Sequence, residues 1–276
     1  MRTALPSTFI CGVVRNAAAP LKQTLDVIKA LQAICENSFV LIVTNDNIDD
    51  TDTILRGWRN SSANREVLWL DGLAGAIPER LDRIAAARNF YLQQLQVRAE
   101  PQFSLSLIMD LDGPNICLSA DTVLESLSKA TFQWDGIFAN QRQAYYDIFA
   151  LRHDRWCPDD CWEEVRRATT FPCRKRKARL AVEKFVHSRQ FRIHPDHPPI
   201  PVRSAFGGLA VYKTDAIKGS WYAARDKNFR LTCEHVSFNE LLHEGKGKLF
   251  IVPGLLNDAP AEHLGPHSGA ELTLDL

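Results

Sequence analysis

The stretch Leu105-Ser-Leu-Ile-Met-Asp-Leu-Asp112 decides the fold of this chain, because an apolar run of strand length ends there in two carboxylates. A run of this composition predicts a buried β-strand over Leu105–Met109. Asp110 and Asp112 then bring two oxygen ligands to the edge of a sheet. Hard divalent cations such as Mn²⁺ and Mg²⁺ prefer oxygen ligands, and they in turn hold phosphates. The stretch therefore predicts a metal-assisted phosphate site at the end of a central strand.

The first half of the chain alternates short apolar runs with helical patterns. It predicts strands over Phe9–Val14, Phe39–Val43, Val67–Leu70 and Leu105–Met109, and helices over Leu21–Ile34 and Glu79–Gln96. This alternation predicts an α/β fold with a mainly parallel, doubly wound sheet. Ligands of such sheets bind beyond the carboxyl ends of the strands. Asn16, Asn45, Asp46 and Asp110 follow those ends, so we expect them to face one crevice.

The second half is less regular. It predicts strands over Gly136–Ala139, Ala205–Tyr212 and Lys248–Val252, and a short helix over Val236–Glu244. Between them, residues 152–202 are rich in arginine, proline, tryptophan and histidine. The shift in composition after Asp112 predicts two halves, residues 1–113 and 114–276, that share one sheet and form a single compact unit.

Composition excludes some classes of protein. The 276 residues carry no formal net charge, which gives no reason to expect nucleic acid as a partner. No segment has the ~20 apolar residues of a membrane span, and the N-terminus lacks a secretory signal. The sequence therefore predicts a cytoplasmic protein, with a luminal domain trimmed from its anchor left open as an alternative.

The seven cysteines include one group that suggests metal binding. Cys157 and Cys161, with Cys173 beyond them, have a loose spacing that no second pair matches. Reduced thiols or a local disulfide are therefore favoured over a zinc site.

Arg88 interrupts the apolar stripe of its predicted helix. The stripe consists of Leu81, Ile84, Ala85, Leu92 and Leu95. A charge on such a stripe needs a partner, since an unpaired buried charge is very unfavourable. Arg88 either reaches into the crevice toward a diphosphate or carboxylate, or extends to solvent at the helix edge. Its spacing from the acidic pair favours the crevice.

Several motifs together resemble nucleotide-sugar-dependent glycosyltransferases of the GT-A fold. In chain order they are Ile42–Thr51, Ala87-Arg88-Asn89, Leu107–Asp112, Phe206-Gly207-Gly208, Cys233-Glu234-His235 and Glu244–Pro253. The resemblance spans most of residues 9–256, apart from residues 140–203. More narrowly, the chain resembles the fungal-capsule-associated type of mannosyltransferase and its bacterial relatives.

This resemblance implies a GT-A-like fold and a metal-dependent hexosyltransferase of polysaccharide biosynthesis. The donor would be a UDP- or GDP-linked sugar, the acceptor a hydroxyl of a glycan or glycolipid, and the cofactor Mn²⁺ or Mg²⁺. One rival is a sugar nucleotidyltransferase, but the segment after the first strand lacks the glycine-rich loop and lysine that it needs. The other rival is a non-catalytic nucleotide- or carbohydrate-binding module that kept the fold.

The resemblance also implies residue roles. The metal ligands would be Asp110 and Asp112, with a third from His263 or His267. The donor side would comprise Arg15, Asn16, Asn45, Asp46, Asp50, Arg88, Asp110 and Leu111, although Asp50 is equally plausible as a helix cap. The acceptor side would comprise Gly207, Gly208, Arg142 and Tyr145; the glycines allow close approach of the backbone, and the segment Gln141–Asp147 carries groups that suit sugars.

The predicted general base departs from the family pattern. Inverting relatives commonly have Glu-Asp where this chain has Glu234-His235. Either side chain could remove the acceptor proton, the histidine because its reference pKa lies near ~6.5. A retaining enzyme would need no base there, and the pair could also simply cap the next helix.

One basic run remains outside these motifs. Arg174-Lys-Arg-Lys177 lies near three further arginines, Arg166, Arg167 and Arg179. A solvated helix face is one explanation. Peripheral contact with an anionic membrane, or with a lipid-diphosphate acceptor, is the other.

Overall fold

A computed structural model describes residues 4–98, 103–169, 174–266 and 268–272. The strands are β1 (Thr8–Val14), β2 (Ser38–Thr44), β3 (Arg65–Trp69), β4 (Leu105–Asp110), β5 (Gly136–Gln141), β6 (Ile200–Val202), β7 (Leu209–Lys213) and β8 (Leu249–Asn257). The α-helices are α1 (Ala18–Ala33), α2 (Thr51–Arg59), α3 (Leu73–Ala76), α4 (Arg80–Arg98), α5 (Ala120–Lys129), α6 (Cys161–Ala168), α7 (Arg174–Phe185) and α8 (Glu234–Glu244). Short 3₁₀ turns occupy His187–Arg189, Thr214–Ile217 and Ala261–His263.

The strands form one eight-stranded sheet in the order β3-β2-β1-β4-β7-β5-β8-β6. Strands β1 to β4 pair with one another in parallel, whereas β7 runs antiparallel to both β4 and β5. Strand β8 is parallel to β5, and β6 is antiparallel to β8. The predicted α/β class with a mainly parallel sheet is therefore confirmed. The predicted halves, 1–113 and 114–276, meet within this sheet where β4 pairs with β7; the boundary itself stays a prediction.

The topology brings many loops to one edge of the sheet. Strands β1, β2, β4, β5 and β8 all end at this edge, and the antiparallel β7 begins there. Two apolar clusters cover the two faces of the sheet, one of which includes the buried stripe of α4 and the other that of α1. The central strands are thus buried on both faces, as continuous apolar runs in parallel sheets are.

Some boundaries differ from the predictions. Strand β7 begins at Leu209 rather than Ala205, because Gly207 and Gly208 adopt φ values of 64° and 82° and leave the extended conformation. Helix α8 begins at Glu234 rather than Val236, since Cys233 is its N-cap. The sequence did not predict α3, α5, α6 or β6, each of which has ten residues or fewer.

The structure describes two of the three cysteines in the group that suggested metal binding. Cys157 and Cys161 are free and buried, and no group of three metal-ligating side chains occurs among the described residues. Cys173 lies outside them. Within the same ranges, no helix has the length and apolar character needed to cross a bilayer.

Gly12, in the middle of β1, allows the end of β4 to pack closely. A Cβ at this position would lie 2.4 Å from the carbonyl oxygen of Met109 and 3.1 Å from Cγ of Leu111. Leu111 is buried in the apolar cluster that includes α1, so its side chain anchors the loop between the two predicted metal ligands.

Gly12→Ala is expected to lower the free energy of unfolding by about 1–3 kcal/mol, because the extra methyl group overpacks a site closed by backbone. The measurement is urea unfolding followed by circular dichroism. Gly57→Ala is the matched control: no atom lies within 4 Å of its added Cβ, and the exposed α2 position should gain about 0.5–1 kcal/mol. Equal effects of the two substitutions would contradict the close packing of β1 on β4.

Candidate active site

A cavity of about 420 Å³ opens at the edge where the parallel strands end. Of the predicted site residues, it is lined by Arg15, Asn16, Asn45, Arg88, Asp110, Asp112, Glu234, His235 and His263. These residues come from the ends of β1, β2 and β4, from α4 and α8, and from the turn Ala261–His263 after β8. The sequence prediction of one shared crevice for Asn16, Asn45 and Asp110 agrees with this placement.

Arg88 is the central side chain of the cavity floor. It is 3% exposed, and its guanidinium donates to Asp110 Oδ1 and to Glu234 Oε1, both at 3.0 Å. The guanidinium carbon also lies over the rings of Phe206 and Tyr222, at 5.3 and 5.7 Å from their centroids. Arg88 therefore joins the end of β4 to the start of α8, and does not extend to solvent at the helix edge.

The acidic pair differs in its surroundings. Asp110 is partly buried, and burial raises its pKa to about 7; the nearby charge of Asp112 adds to this rise and Arg88 opposes it. Asp112 is exposed on the cavity wall. The two neighbouring carboxylates repel each other when both are ionised. A divalent cation would remove this repulsion and stabilise both in the ionised form. Asp110 and Asp112 supply the oxygen ligands that Mn²⁺ and Mg²⁺ prefer, and the His263 side chain lines the same cavity. Among the described residues these side chains do not stand close enough to form a group of three ligands, and His267 lies outside those residues.

A polar network supports the acidic pair from behind. The Asn115 amide donates to the carbonyl oxygens of Asp110 and Gly208, at 2.9 and 2.7 Å. The Gly207 carbonyl accepts from the amides of Gln141 and Asn257 at 3.0 and 2.8 Å. A side chain on either glycine would clash with this network. Gly207 and Gly208 therefore allow internal packing against the loop that carries Asp110 and Asp112, and neither lines the cavity.

Three predicted donor residues lie outside the cavity lining. The Asp46 carboxylate accepts from the N–H groups of Gly72 and Ala74, at 2.6 and 2.7 Å, and so ties down the loop after β3. Hydrogen bonds from Asn45, Ala74 and Gly72 lower the pKa of Asp46. Leu111 is buried in the core.

Asp50, the third of these residues, stands at the N-cap position of α2. Its side chain makes no capping hydrogen bond. Asp49 instead accepts from the Thr51 N–H at 3.0 Å and from the Ala18 N–H at 3.0 Å. The side chain that bonds to the first turn of α2 is therefore that of Asp49, and not that of Asp50 as the alternative predicted.

The other two predicted acceptor residues also face away from the cavity. Arg142 pairs with Asp258 at 2.9 Å. Tyr145 is fully buried and packs edge-on against Trp156. Their neighbours in the chain, Tyr146 and Asp147, line the cavity instead. Residues 142–160 form no regular element, so no periodicity in the sequence indicates which side chains face inward.

The sequence prediction did not include two arginines and two phenylalanines that lie on the cavity wall. Arg80 and Arg83, in the first turn of α4, line the cavity, as do Phe149 and Phe206. Arg83 donates to the carbonyls of Ile77 and Pro78. The position of these arginines in the sequence could have indicated the cavity. They lie in the first turn of the helix that carries Arg88, and this end of the helix lies near the ends of the strands.

No known protein-family model matches this chain, and no curated protein matches it in sequence. Solved structures do match. A mannosyltransferase from Pyrobaculum calidifontis, in complex with GDP-Man and Mn²⁺, superposes with a TM-score of 0.52 at 14% identity, over 92% of this chain and 57% of that one. TarS from S. aureus superposes with a TM-score of 0.51 at 12% identity, over 91% and 59%. A TarS complex with UDP-GlcNAc matches similarly, with a TM-score of 0.50 at 12% identity, over 93% and 60%.

These likenesses confirm the predicted GT-A-like fold. This chain spans 57–60% of the length of the three solved chains. At such low identity they establish the fold and leave the chemistry to be argued from the residues of the cavity.

Arg88→Met is expected to lower the free energy of unfolding by about 3–5 kcal/mol, because it leaves Asp110 and Glu234 buried without their shared cation. The measurement is equilibrium unfolding in urea. Arg225→Met is the control: its ion pair with Asp82, at 2.6 Å, joins partly exposed side chains and should contribute no more than about 1 kcal/mol. Similar small losses in both variants would contradict the bridging role of Arg88.

Proposed function

We propose that this protein is a metal-dependent glycosyltransferase. It transfers a hexose from a UDP- or GDP-linked sugar to a hydroxyl of a glycan or glycolipid, in the assembly of a polysaccharide. The proposal rests on one observation. The exposed Asp112 lies in the same cavity, at the strand ends, as the two buried ion pairs that Arg88 makes with Asp110 and Glu234. The likeness to the GDP-Man and UDP-GlcNAc complexes supports it.

The donor would occupy the side of the cavity formed by β1, β2 and α4. Arg15, Asn16 and Asn45 offer hydrogen-bonding groups for a nucleoside. Arg80 is exposed on the cavity wall and has no ion-pair partner within the described ranges. A guanidinium in this position suits the phosphates of a nucleoside diphosphate.

Asp110 and Asp112 would hold the divalent cation, with His263 as a further ligand. When bound, such an ion stabilises the negative charge that develops on the departing diphosphate. Arg88 holds the Asp110 carboxylate in place before any donor arrives, so this side chain needs no reorganisation on binding.

The acceptor would occupy the opposite side, where the wall is aromatic. The Tyr146 and His263 rings stack with centroids 5.5 Å apart and an interplanar angle of 12°. Phe149 continues this wall. Flat rings beside polar groups are the usual mixture in sites that bind sugars, because the ring faces contact C–H groups while polar atoms bind hydroxyls.

The thermal stability of the protein tests the donor site. UDP or GDP with Mn²⁺ is expected to raise the melting temperature, and EDTA should abolish the shift. At a hundredfold excess over Kd, binding adds about 2.7 kcal/mol to stability. Asp112→Asn should lose the metal-dependent shift and keep the fold, whereas Asp26→Asn, on the exposed face of α1, should behave as the wild type.

The possible results separate the proposal from its rivals. Stabilisation by a nucleotide together with release of diphosphate from its sugar donor supports a transferase. Stabilisation without turnover of UDP-glucose, UDP-GlcNAc or GDP-mannose indicates a binding module. No shift with any nucleotide in the presence of Mn²⁺ would overturn the donor site.

We further propose that α7 contacts an anionic phospholipid surface. Arg176, Lys177 and Arg179 are exposed and have no ion-pair partner among the residues that the structure describes. Leu180, 60% exposed, lies among them. Exposed cations around an apolar side chain are typical of helices that lie on anionic membranes.

Vesicle co-sedimentation tests this contact. The wild type should bind phosphatidylserine vesicles at low ionic strength and not phosphatidylcholine vesicles. Each cation near the surface contributes about 1 kcal/mol, so in Lys177→Glu with Arg179→Glu the loss of two cations alone should weaken binding by about 30-fold, and the two added anions should weaken it further. Lys22→Glu with Lys29→Glu on α1 makes the same charge change elsewhere; equal losses in the two double variants would refute a specific role of α7.

A further inference from the structure

Transfer of a sugar to a hydroxyl requires a group that takes up the hydroxyl proton. Glu234 is a candidate for this group, but its carboxylate is already bound to Arg88. Its Oε1 accepts from Arg88 Nε at 3.0 Å, and its side chain is 7% exposed. The Glu234 carboxylate is thus one partner of a buried ion pair, and such a pair is strongly destabilised when either partner is lost. Glu234 is therefore better suited to hold Arg88, and through it Asp110, in position.

His235 lines the cavity, but both of its ring nitrogens are buried. Its ring stacks on Phe206 at a centroid distance of 3.6 Å and meets Tyr222 edge-on at 5.4 Å. Neither ring nitrogen has a hydrogen-bond partner among the described residues, and both are inaccessible to solvent. Burial, with the nearby charge of Arg88, lowers the pKa of His235 well below its usual value. The imidazole is thus neutral, weakly basic and shielded from a substrate hydroxyl.

Asp147 differs from Glu234 and His235 in its position at the cavity and in its hydrogen-bond partners. It follows β5, lines the cavity and is half-buried. Its Oδ2 accepts from the Gly207 N–H at 3.1 Å and its Oδ1 from the Ala150 N–H at 3.3 Å. No lysine or arginine pairs with it among the described residues. Two backbone N–H groups therefore orient the carboxylate without neutralising it, and leave lone pairs free toward the cavity.

We propose that Asp147 is the general base of the transfer reaction, an inference that rests on the proposed glycosyltransferase function. The acceptor oxygen forms a bond to the anomeric carbon of the donor sugar. The bond from that carbon to the phosphate oxygen breaks, and its electron pair leaves with the nucleoside diphosphate. The hydroxyl proton passes to the Asp147 carboxylate and from there to solvent. A base used in this way implies a single displacement with inversion at the anomeric carbon.

The electrostatic surroundings of Asp147 agree with this role. Burial raises its pKa, the hydrogen bonds from Gly207 and Ala150 oppose the rise, Glu234 adds to it and His263 reduces it. Asp110 is a further negative charge in the lining of the same cavity, and Asp147 in turn raises the pKa of Asp110. A carboxylate with a raised pKa binds a proton more readily than an ordinary aspartate, as a general base must.

Rescue by an anionic nucleophile provides the test. The assay measures release of diphosphate from UDP-glucose, UDP-GlcNAc and GDP-mannose with Mn²⁺, using water or a panel of sugar acceptors. Asp147→Asn should lower kcat by about 10²- to 10⁴-fold, the usual contribution of a general base. Azide carries no proton to remove, so it should restore turnover in this variant. The nucleotide- and Mn²⁺-dependent rise in melting temperature should remain, which excludes a folding defect.

Glu234→Gln provides the comparison. It should also lose activity, through displacement of Arg88, but azide should not restore it. Azide rescue of Glu234→Gln and not of Asp147→Asn would overturn the proposal in favour of Glu234. Wild-type turnover in Asp147→Asn would overturn it and leave the glycosyltransferase function intact. A wild type that converts no donor with any acceptor would instead refute the proposed function itself, and with it this assignment.

Discussion

The buried guanidinium of Arg88 is the interaction on which the cavity depends. It joins a carboxylate at the end of β4 to a carboxylate at the start of α8, with 3.0 Å contacts to both. A charge at 3% exposure is stable only where such partners compensate it. Because its two partners lie far apart in the chain, the central strand and the helix that closes the cavity hold each other in place.

The distribution of charge around this bridge explains the chemistry that we propose. Asp110, Asp112 and Asp147 face the cavity, and Arg88 compensates only the first of them directly. The remaining negative charge suits a divalent cation on one side and a proton acceptor on the other. Arg80 adds a cation at the start of α4, where a diphosphate would lie. In the proposed function, the anionic donor would lie on this side of the cavity and the sugar acceptor on the aromatic side.

Local patterns in the sequence were most informative where a strand or helix is buried in the core. The apolar runs of β1, β2 and β4 predicted the parallel half of the sheet, since buried parallel strands are continuous apolar stretches. Arg88 stood out because a charge on an apolar stripe needs a partner. The mixed half was harder: β7 begins later than predicted because Gly207 and Gly208 leave the extended conformation. In the irregular segment after β5, the sequence favoured Tyr145, whereas Tyr146 and Asp147 line the cavity.

The sequence by itself determined the class of the fold, the strand that ends in Asp110 and Asp112, and the edge of the sheet where a ligand site would form. These follow from periodicity and from the rule that the ends of parallel strands meet at one edge. Only the tertiary structure decided that Arg88 binds Glu234 as well as Asp110, that the ring nitrogens of His235 are buried, and that Asp147 faces the cavity. Each of these depends on contacts between residues distant in the chain or on the direction of a side chain in an irregular loop, which no local pattern encodes.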